Sequence, residues 1–237
     1  MDDFGTSFGI LMGQLTQDYR AEYAWLAPLP HVATLVLLCL AFRQGNRYRK
    51  AFALCFTAIY AWLVVFVGFW FSFQLYVRMG LPGLAAYGGT GVLLLIILVE
   101  WVKEIRRPRL DLNLKDVKKW RLLVSLPFFV WGFWYPPYEW GVRLIFDPKE
   151  MLFGAYGLMG CPTTLVLLTV LFLRYPSGNR LLFNALTAYA VVVGAAMVAL
   201  RYVPDIPFFA FGMVCLASII VRQVRGKPLL RSERHEA

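Results

Sequence analysis

The residues Gly154-Ala-Tyr156-Gly157-Leu-Met-Gly160-Cys161-Pro162-Thr163-Thr164 bring a thiol, a proline and two hydroxyls together inside an apolar run. Read as one helix, the stretch has glycines every third residue, a face with no side chains that lets a neighbouring helix approach its backbone. Pro162 would lack the N–H of a regular turn, and its ring would collide with the carbonyl of Leu158. The freed oxygen would have to meet Thr163 or Thr164, another helix, or a water-lined cavity. At about 1.5 Å per residue, Cys161 would sit ~15 Å from Met151, close to a bilayer midplane. Two readings follow. One is a kinked helix packed through its glycines, with Cys161 as a small hydrophobe. The other is a broken helix of the kind on which transporters build binding sites. The second makes Gly157, Gly160, Cys161, Pro162, Thr163 and Thr164 candidate solute contacts.

A second group follows at the end of another apolar run. Phe128, Phe129, Trp131, Phe133, Trp134, Tyr135, Tyr138 and Trp140 crowd a short segment in which Pro136-Pro137 should stop a helix. Trp and Tyr favour the headgroup zone, so a membrane-interface belt accounts for much of this density. A vestibule stacking a flat or cationic ligand is the functional alternative, with Trp131, Trp134, Tyr135, Tyr138 and Glu139 as its contacts. Asn184, Thr187, Tyr189 and Tyr60 are the polar residues expected to make contacts inside a bundle, and Asn184 joins the candidate solute set.

The remaining chemistry is sparse. Cys39, Cys55, Cys161 and Cys215 stand singly in separate apolar runs, which points to neither a disulfide framework nor a zinc site. The two histidines, His31 and His235, cannot supply paired axial ligands for a haem inside a bundle. His31 is expected to be an interfacial histidine satisfied by water, with a proton or quinone contact as the alternative. Phosphate-binding glycine loops and nucleophile elbows are absent from the sequence. No catalytic residue, cofactor or metal is therefore expected, and a thiol nucleophile at Cys161 has no evident base beside it in the sequence.

The elements that must position these groups are apolar and long. Of 237 residues, 59% are hydrophobic and 16% charged. Runs at 25–42, 52–77, 81–102, 122–140, 151–173, 181–200 and 204–221 are each near the length a helix needs to cross ~30 Å of hydrocarbon. The expected fold is an all-α polytopic bundle of seven transmembrane helices over 25–221. An external amphipathic surface helix over 1–24 precedes it, carrying the stripe Phe4, Phe8, Leu11, Leu15 and Tyr19. A basic tail without structure follows at 222–237. Around Leu110, Leu114 and Val117 two readings stand equally: a second surface helix with Lys115, Lys118 and Lys119 facing lipid phosphates, or a solvated linker with chance periodicity. Closest packing is expected at Ala85, Gly88, Gly89 and Gly91 and at Gly194, Ala195 and Ala196. The start of the chain, Met1-Asp2-Asp3-Phe4, does not read as a cleaved signal peptide.

Charge sets the orientation. Of the 24 Lys and Arg, 19 fall in the loops after runs one, three and five and in the C-terminal tail, against five in the opposite segments. The expected arrangement is N-terminus outside and C-terminus cytoplasmic. The net charge of +10 follows that face, so anionic lipid headgroups are the expected partners and nucleic acid is not.

The element Phe153-Gly154 through Gly160-Cys161-Pro162-Thr163-Thr164, with the aliphatic half-helix after it, resembles the signature of an uncharacterised family of small multi-span bacterial membrane proteins. A looser likeness covers Trp25 to Pro28 and the aromatic end of the second run. Gly160 departs from the pattern, which has proline directly before the cysteine. The resemblance implies a multi-pass protein of the bacterial cytoplasmic membrane and no assigned mechanism. Three functions stay open from the residues: a non-enzymatic small-solute binding or permeation protein, an accessory subunit of a larger membrane complex, and an intramembrane thiol-dependent or lipid-modifying enzyme. Self-association remains open with them.

Overall fold

The computed structural model describes residues 2–114, 117–139 and 143–225, and the fold is all-α. Helix α1 runs Asp2–Tyr23 and α2 Pro28–Gln44, with Pro28 in the first turn, where its missing N–H has no partner to lose. Helix α3, Arg49–Leu63, passes through a π-helical stretch, Val64–Trp70, into α4, Phe71–Met79. Next come α5, Leu81–Arg106, and α6, Lys119–Trp134. A small hairpin pairs β1, Tyr138–Glu139, with β2, Arg143–Leu144. Helix α7, Glu150–Phe153, is a single turn, and α8, Gly160–Arg174, α9, Arg180–Ala199, and α10, Ile206–Arg225, complete the order. Among the described residues, four helical stretches are long and apolar enough to cross a membrane: Pro28–Met79, Leu81–Arg106, Arg180–Ala199 and Val203–Val224.

Helix α8 is the axis of the bundle. Every residue from Pro162 to Phe172 is buried, as expected of a helix that is apolar on all sides. Helices α6, α9 and α10 pack around it, and α5 joins α9 to α3 and α4. Small residues set the closest approaches. A Cβ on Gly132 of α6 would stand 3.0 Å from Val166 and 3.1 Å from the Pro162 carbonyl, so α6 lies directly on α8. Gly91 meets Gly68 backbone to backbone, and Gly194 rests on Phe209. Gly89, in contrast, faces open space, and a Cβ on Gly88 would make only ordinary contact with Leu84.

The fifth run differs from the expected span. Residues 154–159 leave the helix, and Gly160, Cys161 and Pro162 form the first turn of α8. Pro162 therefore breaks nothing, because a first-turn N–H has no intrahelical acceptor. The break lies before Cys161-Pro162, and the three glycines share no helical face. Gly157 has φ +78°, and a Cβ there would overlap Pro30 of α2. A Cβ on Gly160 would overlap the Tyr189 hydroxyl. The loop's polar groups are met by other elements. The Leu158 carbonyl accepts from the Tyr19 hydroxyl of α1 at 3.1 Å, and Tyr19 accepts from the Trp62 indole at 2.6 Å.

Helix α1 is present as expected, but its stripe is packed on protein. Phe8, Leu15 and Tyr19 are buried, and the Tyr19 ring lies against Phe66, Trp70 and Phe71. Helix α6 ends at Trp134, ahead of Pro136-Pro137, so 135–139 lie outside the helix. At the other end of the bundle the second surface helix is missing: residues 107–114 and 117–118 are irregular, with Leu110 buried, and Lys115 lies outside the described residues. Side chains tie this segment to the bundle instead: the buried Glu104 carboxylate accepts the Arg109 and Leu110 N–H groups at 2.5 and 2.6 Å and the Asn179 amide at 2.8 Å, and the Asn46 side chain accepts the Leu112 N–H at 2.7 Å. Asp111 is tied to Arg174 at 2.6 Å and to Ser177 at 3.1 Å. Burial alone would raise the Asp111 carboxyl, but hydrogen bonds from Arg174, Asn113 and Ser177 hold it below the usual carboxylate range. Helix α10 extends through 222–225, the first part of the expected tail, and residues 226–237 lie outside the described residues.

Candidate functional site

Where α6 and α9 finish and α5, α8 and α10 begin, a cavity of about 320 Å³ opens between the bundle and α1. Met12, Thr16 and Arg20 of α1 cover one side, and Tyr135 to Tyr138 wall another. Cys161 and Pro162 lie at the start of α8, where the abandoned helical turn at 154–159 leaves room. Tyr202 and Asp205 enter from the segment joining α9 to α10.

Local sequence explains how each group arrives. Pro136-Pro137 cannot continue α6, so the chain turns at Tyr135, which takes a left-handed conformation with φ +38°. Its hydroxyl is thereby carried to Asp205, to which it donates a hydrogen bond. Arg201 takes φ +60° at the end of α9, and the turn Val203–Asp205 follows, bringing the Asp205 carboxylate into the protein with 1% of its surface exposed. The Cys161 side chain lies beside the Asp205 carboxylate and the Tyr189 hydroxyl. Tyr202 stands beside Tyr135 and meets the Tyr138 ring edge-on at 5.5 Å. Trp131 and Trp134 hold the wall from behind. Their indole N–H groups donate to the Pro204 and Asp147 carbonyls, each at 3.0 Å.

The two groups of residues marked in the sequence thus meet at one place, though not all of them. Tyr135, Tyr138, Cys161 and Pro162 line the cavity. Trp131 and Trp134 are braces and not wall. Thr163 accepts from the Gly157 N–H at 2.9 Å and donates to the Met159 carbonyl at 2.6 Å, which shapes the loop. Thr164 is occupied by Tyr60 at 2.8 Å. Gly157 and Gly160 act by lacking a side chain. Glu139 stands in β1 opposite Arg143. Asn184 is exposed on α9 and is no bundle-interior contact. Tyr60 and Tyr189 are buried as expected, while Thr187 bonds only its own helix, at the Phe183 carbonyl. His31 is fully buried and is satisfied by protein, not by water. Its ring nitrogens stand 2.7 Å from the Ala27 carbonyl and 3.1 Å from that of Phe133, which fastens α2 to α6.

Arg20, Tyr87, Asp147, Tyr202 and Asp205 were not marked in the sequence. The signal for Asp205 was available: a carboxylate between two prolines at the head of an apolar run is expensive to keep there without a task. Asp205 also places a carboxylate beside Cys161. With reference pKa values near 4 for Asp and near 8.5 for Cys, it is a poor base for a thiol. The cavity suits binding better than thiol chemistry: it is mostly apolar, with a few convergent polar groups. Comparison with protein-family models, curated proteins and solved structures finds no match for this chain.

Proposed function

We propose that the chain is a multi-pass membrane protein that binds a small solute in this cavity, reached from the outer face. The reading takes seven crossings, with α3 through α4 as the second and the loop 154–159 with α8 as the fifth, and puts the N-terminus outside. The asymmetry of Lys and Arg supports that orientation, because basic loops resist translocation. The observation that carries the reading is the cavity itself, with a buried carboxylate, a thiol and tyrosine hydroxyls converging on a space large enough for a small organic molecule. A helix that stops short of the membrane surface is tolerated where its loop is enclosed by protein, and α1 provides that enclosure.

Cysteine labelling tests it. With Cys39, Cys55 and Cys215 replaced by alanine, water-soluble methanethiosulfonates added outside oriented vesicles should modify Cys161, and a tryptophan at Val193 on the cavity wall should block them. Modification only from the cytoplasmic side, or none in folded protein, contradicts the reading. Retention of solute binding in Cys161→Ala would dispose of thiol chemistry at the same site.

A further inference from the structure

We propose that the solute is a small organic cation, held by the Asp205 carboxylate with its alkyl groups against the tyrosine rings; this rests on the reading of the cavity as a solute site. Asp205 is buried; the neutral Tyr135 hydroxyl donates a hydrogen bond to it, and the neutral Cys161 thiol lies beside it. A carboxylate offers about four acceptor positions, so its capacity is not filled by these two neighbours. A buried negative charge is costly unless a positive one meets it. The cavity side of Asp205 is where that charge can come from.

The walls fit the same class of ligand. Tyr87, Tyr135, Tyr138 and Tyr202 all line the cavity, and tyrosine faces attract ammonium groups through the ring quadrupole. Among the described residues, the charged groups lining it are Asp147, Asp205 and Arg20, two carboxylates to one guanidinium. Arg20 comes from the covering helix α1, and its charge acts on Tyr202. A ligand with a positive head and an apolar or hydroxylated body places its charge at Asp205 and its other end toward α1.

The test uses Cys161 as a reporter inside the cavity of the full chain, with Cys39, Cys55 and Cys215 again replaced by alanine. A trimethylammonium methanethiosulfonate and a sulfonate one are each timed, and each rate is divided by that reagent's rate with 2-mercaptoethanol. The cationic reagent should be at least tenfold faster. Choline should slow it, whereas 3,3-dimethylbutanol, the same shape without charge, should not. Asp205→Asn should bring the ratio near one and abolish protection by choline. Equal normalised rates, or equal protection by choline and its neutral analogue, overturn the cation while leaving a solute cavity in place. Failure of both reagents to reach Cys161 in folded protein removes the cavity reading and the cation with it. The competition between choline and dimethylbutanol needs no substitution at Asp205, so it decides the matter whether or not that variant folds.

Discussion

Gly157→Ala should be among the most damaging single-methyl additions to this protein. Gly157 has φ +78°, a conformation that costs an L-residue roughly 1–2 kcal/mol. The added Cβ would also overlap the Pro30 ring in α2, and forced overpacking costs about 1–3 kcal/mol. The Gly157 N–H is bound to Thr163 at 2.9 Å, so the backbone cannot swing away without breaking the contact that shapes the loop. The sum is about 2–5 kcal/mol. By the scaling for domains of this length the unfolding midpoint should fall roughly 4–20 °C. Gly89→Ala is the internal control. Gly89 lies within α5 with nothing within 4 Å of an added Cβ, so replacing a helical glycine should be neutral or gain about 0.5–1 kcal/mol. Both variants are to be heated in one detergent at one scan rate, following loss of soluble monodisperse protein. Equal midpoints for the two, or a Gly157→Ala protein as stable as the parent, would refute the placement of the 154–159 loop against α2.

At the opposite end of the bundle, Glu104→Gln should cost about 1–3 kcal/mol, because the new amide would face the Asn179 NH₂ group. Asn179 cannot turn over without losing its cap on the Leu182 N–H, and thermal unfolding of the variant reads the cost. Asp111 gives a pH signature. Its carboxyl lies below its ordinary value when folded, so the unfolded chain binds more protons there and stability must rise with pH. Asp111→Asn should therefore lower stability by about 1.5–3 kcal/mol at neutral pH and by much less below the ordinary carboxylate value near 4, seen as converging midpoints in a pH series. Tyr60→Phe, which strands the Thr164 hydroxyl in the core, should cost about 1 kcal/mol by the same assay and leave solute binding unchanged.

The long helices were legible because their limits are chemical. Gly80 and Pro82 open α5 and Asn179 caps α9, close to the expected limits, while Pro136-Pro137 stops α6 at Trp134, six residues before the expected end at 140. The run at 151–173 was not legible. Apolar content alone cannot separate a crossing helix from a loop that packs on protein, and what decides it is Pro30 at Gly157 and Tyr19 at Leu158, both far away in sequence. The irregular segment after α5 was hidden for a related reason, since Leu110 and Leu114 have helical spacing while the contacts that hold the segment on the bundle include Asn46, far away in sequence. Of the site, the aromatic wall and Cys161 carried a local signal. Asp205 and Arg20 carried little, because their relevance comes from α1 and the α9–α10 turn folding over the same space.

The most direct test of a cation-binding cavity is an X-ray structure grown in a lipid mesophase with choline present. The account predicts density for one choline with its trimethylammonium group beside the Asp205 carboxylate and within reach of the Tyr138 and Tyr202 rings. A cavity filled by the protein's own side chains, or holding only water at saturating choline, would contradict it.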